Sequence, residues 1–242
     1  ERGSHLGWYT GPTLVEHLET IDVDNDLVRR PFRLPVQWVN RPNLDFRGFS
    51  GTIASGRVRP GDPIIVAKSG RASTVKAIVT HDGELAEASA GQAVTLTLAD
   101  EIDISRDDLL SSPEARPETA DQFSAHLIWM ADEPLLPGRS YLIKLGTKLT
   151  QGQVTEIKHK IDVNSFSHIA AKSLGLNEVA VVNFALGEPL AFDPYVDNRD
   201  TGAFIVIDRI SNLTVGAGTI DFALRRATNI HWQALDVSKA SR

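Results

Sequence analysis

The sequence predicts an all-β fold, two tandem antiparallel β-barrels preceded by one short α-helix. Three observations predict it. Apolar and polar residues alternate in most runs between Arg29 and Ala227, the period of a half-buried strand. Glycine and proline turns punctuate those runs, as in "RGFSGTIASGRVRPGDPIIV" from Arg47 to Val66. A Pro-rich, charged stretch without periodicity, Ser111 to Ala120, then divides the β-rich chain in two.

The elements follow in order. "GPTLVEHLETI" places Leu14, Val15, Leu18 and Ile21 on one helical face. Pro12 suits a helix start, and Thr13 with Glu16 forms a capping box. From Arg29 the period becomes two, with Phe32, Leu34, Val36 and Trp38 on the apolar side and Pro35 marking an edge or bulge. Strand-like runs follow at "GTIAS", "DPIIVA", "STVKAIVT", "AVTLTLA" and "IDIS". Beyond the Pro-rich stretch come "DQFSAHLIWMA", "SYLIKLG", "QVTEIKHKIDV", "NEVAVVNFAL", "AFIVIDRI" and "GTIDFALRRA". The expected units are a first barrel over 29–112, a linker over 113–120 and a second barrel over 121–227. "RGSH" (Arg2 to His5) resembles a cloning scar.

Composition narrows the function classes. The chain has 242 residues, a formal net charge of −6 and no cysteine, so disulfides and thiolate metal sites are excluded. Mild acidity argues against nucleic acid as a partner, since phosphate binding needs clustered Lys and Arg. The pairs Arg29–Arg30 and Arg225–Arg226 are too few. No run has the apolar length of a membrane span. The expectation is a cytoplasmic protein without a membrane partner.

Chemistry-bearing motifs fail one after another. "DVDND" (Asp22 to Asp26) starts like a calcium loop, but Leu27 and Arg33 stand where glycine and a bidentate glutamate are needed. Asp100, Glu101, Asp103, Asp107 and Asp108 alternate in part with Ile102 and Ile104, which reads as a solvated strand face. His159 shares a face with Ile157, Ile161 and Val163 and reads as an interior histidine. "GTKLTQG" (Gly146 to Gly152) has P-loop letters in the wrong order. No catalytic, cofactor or metal residue is expected. Gly51, Gly56, Gly61 and Asp62 read as turn scaffold.

The strings themselves resemble a known superfamily. "WYTGPTLVEHLE" resembles the last helix of the GTP-binding domain in GTPases related to elongation factor Tu. "GTIASGRVRPGD" resembles the barrel that follows, and "NRDTGAFIVIDRISNLTVGAG" resembles the final hairpins of the third domain. Within it, "RRPFRLPVQWVNRPNLDFRGFSGTIASG", "IVTHDGELAEASAGQAVTLTLADEIDISR" and "HKIDVNSFSHIAAKSLGLNEVAVVN" resemble the large GTPase subunit of bacterial ATP sulfurylase, sulfate adenylyltransferase subunit 1. "RATNIHWQALDVSKASR" resembles the connector to an adenylylsulfate kinase domain in bifunctional, nodulation-type members. Asp107 departs from that family, which has glycine there. Aspartate tolerates the left-handed backbone better than most residues, so the turn is expected to form.

The resemblance implies a C-terminal portion, with residues 1–28 ending a missing GTPase domain and 228–242 leading towards a kinase. It implies GTP and magnesium in the parent protein and none in this portion. It also implies a small catalytic subunit as partner, which makes adenosine 5′-phosphosulfate from ATP and sulfate. Asn198, Arg199 and Asp200, in polar hairpins of the second barrel, are the candidate partner interface. Alternatively, Asn198 and Arg199 only hydrogen-bond a turn. Two rivals remain, translation-factor barrels that bind aminoacyl-tRNA and a free-standing barrel pair with an unrelated partner.

Overall fold

A computed structural model describes residues 7–21, 26–43 and 45–224. The scar-like Arg2–His5, most of the calcium-like stretch and the connector from Thr228 lie outside the described residues. Helix α1 (Leu14–Thr20) starts at the expected capping box, with Thr13 Oγ1 accepting from the Glu16 N–H and Glu16 accepting from the Thr13 N–H. None of its residues is buried, and Leu14 is 73% exposed.

The first barrel comprises β1 (Arg33–Pro35), β2 (Trp38–Asn40), β3 (Gly48–Thr52), β4 (Arg57–Val58), β5 (Pro63–Val66), β6 (Ala72–Thr80), β7 (Gly83–Leu85), β8 (Ala88–Ser89), β9 (Ala93–Leu98) and β10 (Leu109–Ser111). Its sheet runs β1-β10-β5-β6-β9-β3-β2, all antiparallel. β1 and β2 are two halves of one strand that closes the ring, interrupted at Val36–Gln37, just after Pro35. The break is bridged by Val36 N–H donating to the Asp108 carbonyl and Gln37 N–H to the Ser50 carbonyl, both at 2.8 Å. Leu34, Val36, Phe49, Ile64, Ile78, Leu96 and Leu110 fill the interior.

The break also corrects two expectations. Phe32, Leu34 and Val36 are buried as the alternation predicts, but Trp38 is 59% exposed. The interruption after Pro35 resets which face points inward. Ile102–Ser105 forms no ladder, although Ile104 is buried and Glu101 and Asp103 stay wet. It runs unpaired into the turn at Asp107, whose φ of 81° is left-handed, and that turn does form.

The second barrel comprises β11 (Glu118–Trp129), β12 (Ser140–Leu145), β13 (Lys148–Ile161), β14 (His168–Ile169), β15 (Val179–Phe192), helix α2 (Arg199–Gly202), β16 (Ala203–Ile207) and β17 (Thr214–Ala223). The order β12-β16-β17-β11-β15-β13 closes through a β12–β13 pairing, so this ring has no free edge. Phe123, Phe184, Phe192 and Phe204 pack at its centre with ring centroids 5.2 to 5.6 Å apart. Because neighbours are antiparallel, β11, β13 and β16 all end at one end of the barrel. That far end carries the loops after Trp129, Ile161 and Ile207. The near end, with Gly146, Phe192 and α2, faces the first barrel.

His159 is not interior. A bulge between Ile157 and His159 turns it outward. Its ring stacks on His168 with centroids 3.8 Å apart, and partial desolvation, then the two neighbouring histidines, hold its pKa below the ordinary value.

Candidate functional site: the junction between the barrels

The near end of the second barrel is tied to the first by polar side chains withdrawn from water. Arg33, on β1, is expected to face solvent by simple alternation. Its neighbours override that, because β1 is covered on both faces, and Arg33 is 5% exposed. Its Nε and Nη2 each donate at 2.8 Å to one oxygen of Asp193, just beyond β15. The third donor, Nη1, reaches the Phe32 carbonyl at 2.9 Å. Asp193 Oδ2 also accepts from Thr201 Oγ1 at 2.8 Å. Two parallel charge-assisted bonds are the strongest geometry an arginine and a carboxylate can make.

Asn198 works beside this pair. Its Oδ1 caps α2 by accepting from the Asp200 and Thr201 N–H groups, at 3.1 and 3.3 Å. Its Nδ2 crosses to Ser55 Oγ of the first barrel at 2.9 Å, and Ser55 Oγ donates to the Pro31 carbonyl. Asn198 is 3% exposed, so its side chain is used inside the molecule, whereas Arg199 and Asp200 face outward. Around the rim, Lys68 of the first barrel and Lys148 of the second share Glu188, at 2.7 and 3.1 Å. The two ammonium groups hold the Glu188 pKa below the usual carboxylate range.

The stretch expected as a linker contributes as well. Arg116 Nε donates to the Ala67 carbonyl at 2.7 Å, and Glu118–Ala120 already pairs in β11. A cleft of about 250 Å3 remains between the barrels, lined by Pro35, Asp107, Lys148, Thr201 and neighbours.

The expected scaffold residues do different jobs. Gly61 sits at φ 94° in open space, so its conformation alone requires glycine. Asp62 closes the same turn by accepting from the Arg59 N–H at 2.8 Å. Gly56 combines φ 77° with crowding, since a Cβ there would lie 2.5 Å from Phe32 Cα. Gly51 lies within β3 rather than at a turn, where a Cβ would meet the Pro35 carbonyl oxygen at 2.3 Å.

The stretch with P-loop letters does not form a phosphate cradle. The P-loop-like letters form the β12–β13 hairpin, with Gly146 at φ 55° and Lys148 engaged by Glu188. A P-loop instead leads from a strand into a helix. Among the described residues no group of three or more His, Asp or Glu could hold a metal ion. Arg33 and Asp193, the pair at the centre of the junction, carry no sequence motif. The only hint is an arginine amid apolar residues in "RRPFRLPV".

Residues 122–221 match the family model described as GTP-eEF1A C-terminal domain-like. Over 241 residues the chain is 58% identical to "Bifunctional enzyme NodQ" of Rhizobium sp. (strain N33), covering 100% of this chain and 37% of that protein. It is 50% identical to "Sulfate adenylyltransferase subunit 1" of Aeromonas salmonicida (strain A449), covering 97% of this chain and 54% of that one. Along its whole length the chain is similar to sulfate adenylyltransferase subunit 1 and NodQ. "Bifunctional enzyme CysN/CysC" of Xylella fastidiosa is 49% identical, and 39% of its length is covered. The chain thus spans between about a third and just over half of the length of these relatives. In fold it is similar to Sup35 complexed with GDP, with a TM-score of 0.76 at 19% identity, covering 90% of this chain and 53% of that one. No helix among the described residues is long and apolar enough to cross a membrane.

Proposed function

We propose that these barrels are the relay of a sulfate-activating GTPase subunit. They would couple GTP hydrolysis in a preceding domain to synthesis of adenosine 5′-phosphosulfate from ATP and sulfate by a small partner subunit in the cytoplasm. GTP and magnesium belong to that other domain, and the barrels carry no chemistry of their own. The observation that carries this proposal is the buried Arg33–Asp193 fork, with Asn198 beside it. A relay must not bend at its middle. A fork withdrawn from water resists bending, since separating the charges leaves each buried without its partner. The division into a first barrel over 29–112 and a second over 121–227, whose first strand reaches back to Glu118, belongs to the same proposal, as does a kinase domain after the connector. Arg199 and Asp200, exposed on the short helix α2 rather than in a hairpin, are the members of the expected Asn198–Asp200 interface available to a partner.

Titrating the chain with the small sulfate adenylyltransferase subunit in a calorimeter tests the proposal. Saturable binding is expected, with no binding of GTP or GDP by the chain alone. Absence of subunit binding overturns it. Transfer RNA binding that falls steeply with salt would put the translation reading in its place.

A further inference from the structure

The far end of the second barrel carries the same loop twice. Asp162–Ser167 follows β13, and Asp208–Leu213 joins β16 to β17. Beyond the pattern Asp-x-x-Ser the two sequences differ, "DVNSFS" against "DRISNL". In the first, Asp162 Oδ1 accepts from Asn164 N, Ser165 N and Ser165 Oγ at 2.9, 2.8 and 3.1 Å. In the second, Asp208 Oδ1 accepts from Ile210 N, Ser211 N and Ser211 Oγ at 3.0, 2.9 and 3.1 Å. The aspartate carbonyls accept from Phe166 N at 2.7 Å and Asn212 N at 2.9 Å. Phe166 and Asn212 are both left-handed, at φ 56° and 58°.

Such a network fixes a backbone with nothing packed over it. What the loops hold out is apolar. Val163 and Phe166 are 63% and 77% exposed, and Ile210 and Leu213 are 89% and 66%. Leu136, in the loop before β12 at the same end, is also exposed. A bulky residue at positive φ is strained, and asparagine, at the equivalent place in the twin loop, tolerates it better. A phenylalanine kept in that backbone and in water therefore asks for a partner.

The position of the chain's connections says which kind. Leu224 N–H bonds the Gln122 carbonyl at the near end, and Leu27 meets Gly56 of the first barrel. Both connections start away from the far end, and the relative named subunit 1 implies a further subunit as its occupant. The charges at this end are mixed, with carboxylates at both loop bases against Arg139, which Glu133 and Asp208 engage, and Arg209, which reaches Ser140 Oγ. Mixed charge disfavours an anionic lipid surface.

We propose that the far end is a preorganised docking surface for a folded protein subunit, whose apolar pockets receive Phe166 and Ile210. The proposal rests on the relay function and takes the small subunit as occupant. Rigid apolar anchors in closed pockets carry most of the affinity in such contacts. Calorimetry with the small subunit is expected to show binding weakened about tenfold or more by Phe166→Asp and by Ile210→Asp. Phe166→Gly relieves the backbone strain, so its unfolding midpoint should not fall while its binding does. Asn212→Gly, which keeps every anchor, should bind like the unaltered chain. Binding unchanged in both aspartate variants overturns the docking surface and leaves the relay proposal standing. No binding by the unaltered chain overturns both. Phosphatidylglycerol vesicles bound by the unaltered chain but not by Phe166→Asp, with subunit binding equal in the two, would replace the protein occupant with lipid.

Discussion

At the end of the second barrel that meets the first, an arginine and an aspartate are buried against each other. At the opposite end, Phe166, Ile210 and Leu213 stand in solvent. Each placement is costly by itself, and each is made tolerable by hydrogen bonds of a different kind. Near the junction the bonds satisfy a charge, as Thr201 and the Phe32 carbonyl complete the shell around the Arg33–Asp193 fork. At the far end the bonds satisfy a backbone, and the side chains are left free. One barrel thus has a closed end that fixes it to its neighbour and an open end that holds apolar side chains in water.

The contrast can be broken most forcefully at the closed end. Asp193→Ala leaves the Arg33 guanidinium buried without its carboxylate, and removing one member of a buried pair costs about 3–5 kcal/mol. Denaturant unfolding should show that loss. Phe166→Asp at the open end should leave the unfolding midpoint nearly unchanged.

Backbone changes sharpen the comparison on a smaller scale. Gly61→Ala needs only a left-handed alanine in open space, a cost of about 1–2 kcal/mol. Gly56→Ala should cost more than Gly61→Ala in the same measurement, because its Cβ also runs into Phe32 Cα.

Acid should open the far end. The Ser211 and Ile210 N–H groups lower the Asp208 pKa from 3.8 to about 2, and the Ser165 and Asn164 N–H groups lower that of Asp162. A carboxylate depressed by folding stabilises the fold above its unfolded pKa and loses that contribution as protons are taken up. Between about pH 4 and about pH 2 the Ser211 amide proton should therefore lose exchange protection, and that of Ser165 should lose it too as pH falls below the ordinary carboxylate range. Protection kept throughout that window would contradict the role given to the two aspartates.

The smallest effect is expected in α1. Isolated helices shorter than about 12–15 residues are marginal in water, and α1 buries none of its residues. Its amides should exchange fastest among the helices and strands, and slow exchange through Leu14–Thr20 in a monomer would refute that.

Much of the architecture was legible because period and turn chemistry are local. The capping box at Thr13, the inward row Phe123, Ala125, Leu127 and Trp129, and the turn at Gly61 follow from neighbours in sequence. Trp38 and His159 were misplaced because a strand break and a bulge shift the face without changing the pattern. Arg33 and Asp193 stand 160 positions apart, and no local period can join them. The twin loops were within reach in principle, since Asp-x-x-Ser recurs after two strand runs. Their sequences share too little else to show as a repeat.

By the relay proposal the junction makes the two barrels one body able to pass on a movement. The chain has no cysteine, so Lys76→Cys on β6 and Gln153→Cys on β13 give a uniquely spin-labelled pair across the junction. Double electron–electron resonance should give one narrow distance distribution in this background, broadened when Asp193→Ala is added. A broad distribution with the Arg33–Asp193 pair intact would contradict the account.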